Sequence, residues 1–396
     1  MRRIVPICLS LSGLSLSGML ACRVPDAGPA YPSEPPAEGE ADEVRSLAEL
    51  EDEFFEGWFV RDPVGATAVG EHRFDGKWPD LSAEARAADR EWARGMLEGL
   101  ERPREGLSPD QRVDLDVLTD VLRRMLLEDE AERAWTTNPL AYAFLIGGGI
   151  DDLVMRDFAP LDERAESVAS RLEGLPSLVD QAIANLSDPA EIKAPHARVA
   201  VAQLAGVKSL IEDEVPARTK GVPAGTRDRI TAAVPDAVAA VERLERHVSE
   251  KLLPEAAGSW RLGADAFARK LALTLQTDLS ADEVYSRAKE EHARVRARMA
   301  TLARELYVPL FGESRLRKLE KAGGDDLDDR IIEQVLDALA QDHVPAEQLR
   351  DAAEENLQRL EAFVKAENIV PMDDREVLKV IWTPPHERGV AIAGLD

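Results

Sequence analysis

Ile230-Thr-Ala-Ala-Val234-Pro-Asp-Ala-Val238-Ala-Ala-Val241-Glu-Arg-Leu244-Glu-Arg-His-Val248-Ser-Glu-Lys-Leu252 sets its large apolar residues three and four apart without a break. That spacing puts them on one face of a helix of about six turns, and a strand would need alternation by two. Leu349, Ala353, Leu357, Leu360 and Val364 repeat the pattern, and Leu327, Ile331, Val335 and Leu339 form a shorter version. Each stripe needs another helix to cover it, so residues from about 44 to 370 read as a mainly α, multi-helix assembly around one continuous core. Capping chemistry places helix starts at Ser108-Pro-Asp-Gln111 and Ser280-Ala-Asp-Glu283, with turns into helices at Asp62-Pro63, Asn138-Pro139 and Asp188-Pro189. Breaks are expected near Gly106, Gly147-Gly-Gly149, Gly221, Gly258 and Gly323-Gly324, which gives roughly ten helices and no fixed-period repeat.

Ahead of this body, Met1-Arg-Arg3 and the apolar run Ile4 to Leu20 have the charge and length of an export signal. The run ends in Met19-Leu20-Ala21-Cys22, which reads as a bacterial lipobox with Cys22 as the lipidated residue and Met19 in place of the usual Leu. An ordinary secretory signal with an incidental cysteine is the alternative. Cys8 lies inside the signal, so the processed chain keeps one cysteine and forms no internal disulfide. Residues 22–45 are rich in Pro and acids and almost free of apolar residues, as a flexible tether between lipid and body would be. The domain organisation expected is therefore signal peptide 1–21, tether 22–45 and one helical domain 46–396, of one or two lobes.

The net charge is −26, and removal of residues 1–21 leaves 47 basic residues against 75 acidic ones, or −28. Such a field repels phosphate backbones and anionic lipid, which argues against nucleic acid as a partner. Runs such as Glu128 to Glu132 and Asp325 to Asp329 read as solvated surface, without the ligand spacing of a calcium loop.

Zinc hydrolysis on a helix needs His-Glu-x-x-His, which is absent. His386-Glu387 begins such a motif, but Val390 stands where the second ligand would be, and Pro384-Pro385 oppose a helix there. His72, His196, His247, His292 and His343 are scattered singly. His292 falls on the stripe Val284, Ala288, His292, Val295, Met299, Leu302, Leu306, and reads as a hydrogen-bonded core histidine in preference to one lining a cleft, with Glu290 and Glu291 turned elsewhere. No Gly-x-Ser-x-Gly elbow occurs, and Gly147-Gly148-Gly149 lacks the Lys-Ser/Thr of a phosphate loop, so it reads as a tight turn that lets helices approach. The sequence thus nominates no catalytic, cofactor-binding or metal-ligating residue, and one modification site, Cys22.

Six short signatures, in order, carry a resemblance: Trp78-Pro-Asp-Leu-Ser82; Asn138-Pro-Leu-Ala-Tyr142; Asp157-Phe-Ala-Pro-Leu161 with Arg164; Gly263 with Phe267-Ala-Arg-Lys-Leu271; Thr277-Asp-Leu-Ser280; and Val380-Ile-Trp-Thr-Pro384 with Arg388-Gly-Val390. Over about residues 46–396 the chain resembles the bacterial family known as domain of unknown function 885. The resemblance implies a helical, zincin-peptidase-like fold, often exported or lipid-anchored, and a family regarded as candidate metallopeptidases. It also implies a His-Glu-x-x-x-Gly-His motif in the C-terminal part, with zinc as cofactor and the motif Glu as general base. That motif is not among these 396 residues. The expectation is therefore a chain truncated before the metal-binding half, lipid-anchored at the cell envelope and not catalytic alone, with no zinc unless the missing half is supplied. The alternatives are the N-terminal half of a split zinc metallopeptidase completed by a separate chain, and a non-catalytic envelope protein that binds peptide. Val377 to Trp382 reads as a strand awaiting a neighbour.

Overall fold

The computed structural model describes residues 45–102, 104–372 and 378–383. Signal, lipobox and tether, with Cys8, Met19 and Cys22, lie outside the described residues, as do Val377, Pro384, Pro385, His386, Glu387, Arg388, Gly389 and Val390. Among the described residues the chain is helical throughout and contains no strand. The fifteen α-helices exceed the expected ten because short helices of one or two turns separate the long ones.

The helices fall into two units, one running to Gln276 and one from Thr277 to Trp382. The first contains α1 (Leu47–Arg61), α2 (Pro63–Ala68), α3 (Ala83–Glu101), α4 (Pro109–Leu127), α5 (Ala134–Thr137), α6 (Pro139–Met155), α7 (Leu161–Asn185), α8 (Ala194–Ser209), α9 (Val215–Arg218), α10 (Ala224–Arg246) and α11 (Ala264–Leu275). The second contains α12 (Ala281–Phe311), α13 (Glu313–Ala322), α14 (Leu327–Leu339) and α15 (Leu349–Glu367).

Where the expected core is continuous, three clusters are found. In the first unit α1, α3 and α4 close around Leu50, Phe54, Trp58, Met96 and Leu122, and α6, α7, α8 and α10 enclose a larger cluster that includes Ile146, Leu172, Leu204 and Leu244. Each large apolar side chain so buried contributes about 1.5–3 kcal/mol. In the second unit Tyr307, Ile331, Ile332 and Val335 form a small core.

Along the stripe, which runs through α10 and the π-helical turn His247–Leu252 that continues it, Ile230, Val241, Leu244, Val248 and Leu252 are buried as the spacing requires, but Val234 and Val238 are only partly covered while Ala233, Ala237 and Ala240 are buried. The closest face is the one with the smallest side chains, because small residues let α7 and α10 approach. Capping follows the sequence: Gln111 N–H donates to Ser108 Oγ at 3.1 Å and Ser108 N–H to Gln111 Oε1 at 3.0 Å, and Ser280 with Glu283 makes the same reciprocal pair.

Four expectations are corrected. Gly147–Gly149 is no turn, since it lies inside α6, where the flanking apolar residues keep the helix buried against its neighbours. His292 is an exposed residue on α12 and not a core histidine, because the buried face of that helix begins only at Ala300. Leu378 to Trp382 forms no strand, since no neighbouring strand exists among the described residues to pair its backbone. The stripe of α15 is helical but has no buried residue, with Leu360 and Phe363 more than half exposed.

Side chains, not the helix backbone expected, come close to Gly149 of α6. The Trp78 indole lies between Gly149 of α6 and Gly174 of α7, where added Cβ atoms would sit 2.7 Å from Trp78 Cη2 and 3.1 Å from Trp78 Cδ1. Gly148, one residue away, faces open space. Gly149→Ala is expected to lower stability by about 1–3 kcal/mol through overpacking, and Gly148→Ala to raise it by about 0.5–1 kcal/mol through helix propensity. Urea unfolding of both variants checks the pair.

Candidate functional site

Two polar clusters are built into the first unit. One surrounds Arg171, a fully buried residue of α7. Arg164, Val168, Arg171, Leu175, Leu178 and Ala182 recur at three and four residues, so helical geometry places this guanidinium on the apolar face of α7. Its Nη1 donates to Gly149 O of α6 and its Nη2 to Thr67 Oγ1 of α2 at 2.7 Å. Trp78 Nε1 donates to Arg171 O at 2.7 Å, with the indole 5.4 Å from the guanidinium. Burial pushes the Arg171 guanidinium down to about 10, against the pull of Asp75, Asp152 and Asp62. Thr67 Oγ1 also lies 2.7 Å from Asp75 Oδ1, and Asp75 Oδ2 lies 3.1 Å from His72 Nδ1. The His72 ring stacks on Phe158 at 3.9 Å and 7°. Trp78 and Phe158, from two of the quoted signatures, thus meet here. The His72–Asp75 pair lies beside the Thr67 hydroxyl, and among the described residues it is not part of a group of three or more side chains placed to hold a metal ion.

The other cluster surrounds a π-helical turn, Glu128–Glu132, that extends α4 and ends where Arg133 N–H donates to Glu128 O at 2.8 Å. π-turns are rare and often accompany functional positions. Part of the acidic run expected as solvated surface faces inward instead, while Glu130 stays exposed. Asp129, 9% exposed, accepts from Arg86 at 2.5 Å and Arg90 at 2.7 Å, both on α3. Glu132 Oε1 accepts from Lys270 Nζ of α11 at 2.6 Å, so the signature Phe267–Leu271 supplies its lysine to this place. The i→i+5 bonding of this turn re-aims these acids toward the helices beside them, and cations on those helices receive them. The run Asp325 to Asp329 is solvated as read, with its acids exposed.

Burial and then Glu132 push the Glu128 carboxyl up to about 7, against Lys270, Arg124 and Arg86. Lys193, the N-cap residue of α8, is 9% exposed and donates its backbone N–H to Thr137 O at 3.2 Å. Burial lowers its ammonium pKa, and burial with Lys193 nearby lowers that of His196. Trp135 Nε1, His196 Nδ1 and Glu128 Oε1 are buried without a hydrogen-bond partner.

Of the other histidines, His247 bonds Leu186 O at 2.7 Å, and His343 is exposed and bonds Val344 O at 3.0 Å. Among the described residues no group of three or more His, Cys, Asp or Glu side chains is placed to hold a metal ion, so these residues do not fit a zinc site. Among the described residues, shallow depressions of about 320 and 350 Å³ are present, the second lined by Leu126, Leu127, Glu130, Arg269 and Leu273 beside the π-turn and α11. Lys193, Trp135 and Arg171 escaped the sequence reading because single polar residues among apolar ones carry no spacing signal. Lys270 could have been found, since its signature was already singled out.

Glu128 gives the first unit a pH dependence. Its carboxyl titrates near 7 when folded and near 4.5 otherwise, so the folded state holds the extra proton between those values and stability falls as pH rises through that window. Glu128→Gln is expected to flatten this slope between pH 5 and 7 and to raise stability at pH 8 by on the order of 2 kcal/mol. Chemical denaturation across pH measures it.

No curated protein matches the chain. A solved structure from Shewanella oneidensis, described as a lipoprotein candidate of unknown function, is similar with a TM-score of 0.67 and 23% identity. The match covers 86% of this chain and 61% of that one, so this chain spans about three-fifths of the length of its structural relative, and the likeness shows a shared helical fold. The family described as "Bacterial protein of unknown function (DUF885)" matches residues 63–394, nearly all of the helical body, and the chain belongs to that family.

Proposed function

We propose that this chain is an exported, lipid-anchored family member that holds a helical body at the cell envelope and does not hydrolyse substrate by itself. The observation that carries this reading is a family match across residues 63–394 in a sequence without His-Glu-x-x-x-Gly-His. The lipobox-like Met19-Leu-Ala-Cys22 and the similarity to a lipoprotein candidate support the anchor. In a zincin-like hydrolase assembled with a metal-binding part, the body would serve as scaffold and as one wall of a peptide-binding cleft. Zinc would supply activated water there, and none of the residues described here would hold it.

A second reading, the N-terminal half of a split metallopeptidase, is favoured by the second unit's apolar exposure. Leu302, Leu306, Leu310, Leu360, Phe363, Ile381 and Trp382 are each more than two-fifths exposed, more than single scattered surface residues require. A complementing chain that covers them is the partner this reading calls for.

Expressed with its signal in a bacterial host, the protein is expected in the membrane fraction, and Cys22→Ala in the soluble exported fraction. The purified chain is expected to release no product from a mixed peptide library with zinc added. Chelator-sensitive hydrolysis by the 396-residue product would contradict the proposal.

A further inference from the structure

Besides the face it buries, α12 carries a second apolar face that stays exposed. Toward α14 the helix packs Ala300, Ala303 and Tyr307. Roughly a quarter of a turn round the same helix, His292, Met299 and Leu306 recur every seven residues, with Val295, Leu302 and Pro309 each three residues further on. That is the a and d register of a two-stranded coiled coil, kept over three heptads. Val295, Leu302 and Leu306 are 41, 47 and 42% exposed, and Met299 is only partly covered by the small core. Single exposed apolar residues need no explanation, but a row of them in one register on one helix marks a contact surface.

The charges beside this face are complementary to themselves. Arg296 and Arg304 lie on the side of α14 and pair there with Asp329 and Asp328. Arg298 and Glu305, one heptad apart on the opposite flank, are exposed and have no ion pair among the described residues. A second α12 laid antiparallel, with a two-fold axis between residues 300 and 301, sets Met299 against the partner's Leu302 and Val295 against the partner's Leu306. Each contact occurs twice, and so does the approach of Arg298 to the partner's Glu305. Sliding the helices by one heptad sets Arg298 against Arg298 in one direction and Glu305 against Glu305 in the other. A parallel pair puts Arg298 beside Ala303 and stacks His292 on His292. The free charges therefore answer one another in one orientation and one register, as a surface that meets its own copy requires.

We propose that α12 pairs with the α12 of a second copy of this chain in an antiparallel two-helix seam that runs from His292 to Pro309. The seam goes beyond the lipid-anchored reading and does not depend on it. A complementing chain, as the split-peptidase reading calls for, competes for the same face and leaves the isolated protein monomeric.

Sedimentation velocity of the whole protein from Cys22 onward, kept reduced and at tens of micromolar, tests this. A dimer is expected. Leu302→Glu, at a position exposed in the single chain, is expected to give a folded monomer, with the fold checked by circular dichroism. Arg298→Glu, which turns both ion pairs into repulsions, is expected to weaken the dimer about tenfold, and adding Glu305→Arg to the same chain is expected to restore it. A parallel pair shows no such rescue. A monomeric wild type, a dimer that survives Leu302→Glu, a dimer indifferent to Arg298→Glu, or a double variant that stays weakened would each overturn the assignment.

Discussion

A charge without water around it must be answered by fixed dipoles, and Arg171 imposes that condition on the larger core. Its guanidinium is fully buried on α7 and reaches Gly149 O on α6 and Thr67 Oγ1 on α2, while its own carbonyl receives Trp78. Apolar packing alone tolerates helices that slide by part of a turn, whereas a planar fork with fixed donor directions does not. The glycines at 149 and 174 belong to the same constraint, since only there can the indole pass between α6 and α7. Buried ionic groups are weak evidence of net stability, so the role argued for Arg171 is to select one arrangement of α2, α6 and α7.

Helices and their starts were legible in the sequence because both are local. The stripe from Ile230 to Leu252 and the capping boxes at Ser108 and Ser280 depend on residues three or four apart, and the structure keeps both boxes and a helical stripe, although Val234 and Val238 are only half-buried. Which stripe becomes core is a question of partners, and one sequence does not reveal partners. His292 and Leu360 sit on stripes as regular as that of α10, yet both are exposed. The acidic run at Glu128 shows the reverse case: composition alone suggests a solvated face, but a π-turn aims two of its acids, Asp129 and Glu132, at cations on α3 and α11. A local switch from i→i+4 to i→i+5 bonding is invisible to a count of charges.

The candidate sites share an origin. Trp78 and Phe158 come together at Arg171, and Lys270 meets Glu132 at the π-turn, so signatures far apart in sequence converge on two polar clusters in one unit. Sequence reading recognised these strings as a family mark without seeing that they are what buries charge. Local spacing cannot show this, because the partners lie tens to more than a hundred residues apart. The second unit, by contrast, has a small core and many exposed large apolar residues among the described ones.

Hydrogen exchange of wild type and Arg171→Met is the most direct test of the central constraint. If the guanidinium fixes the helices together, amides of α2, α6 and the segment around Trp78 lose protection in concert, while the cluster of α1, α3 and α4 and the unit from Thr277 onward stay unchanged. Loss of protection confined to α7, or none at all, would contradict the account.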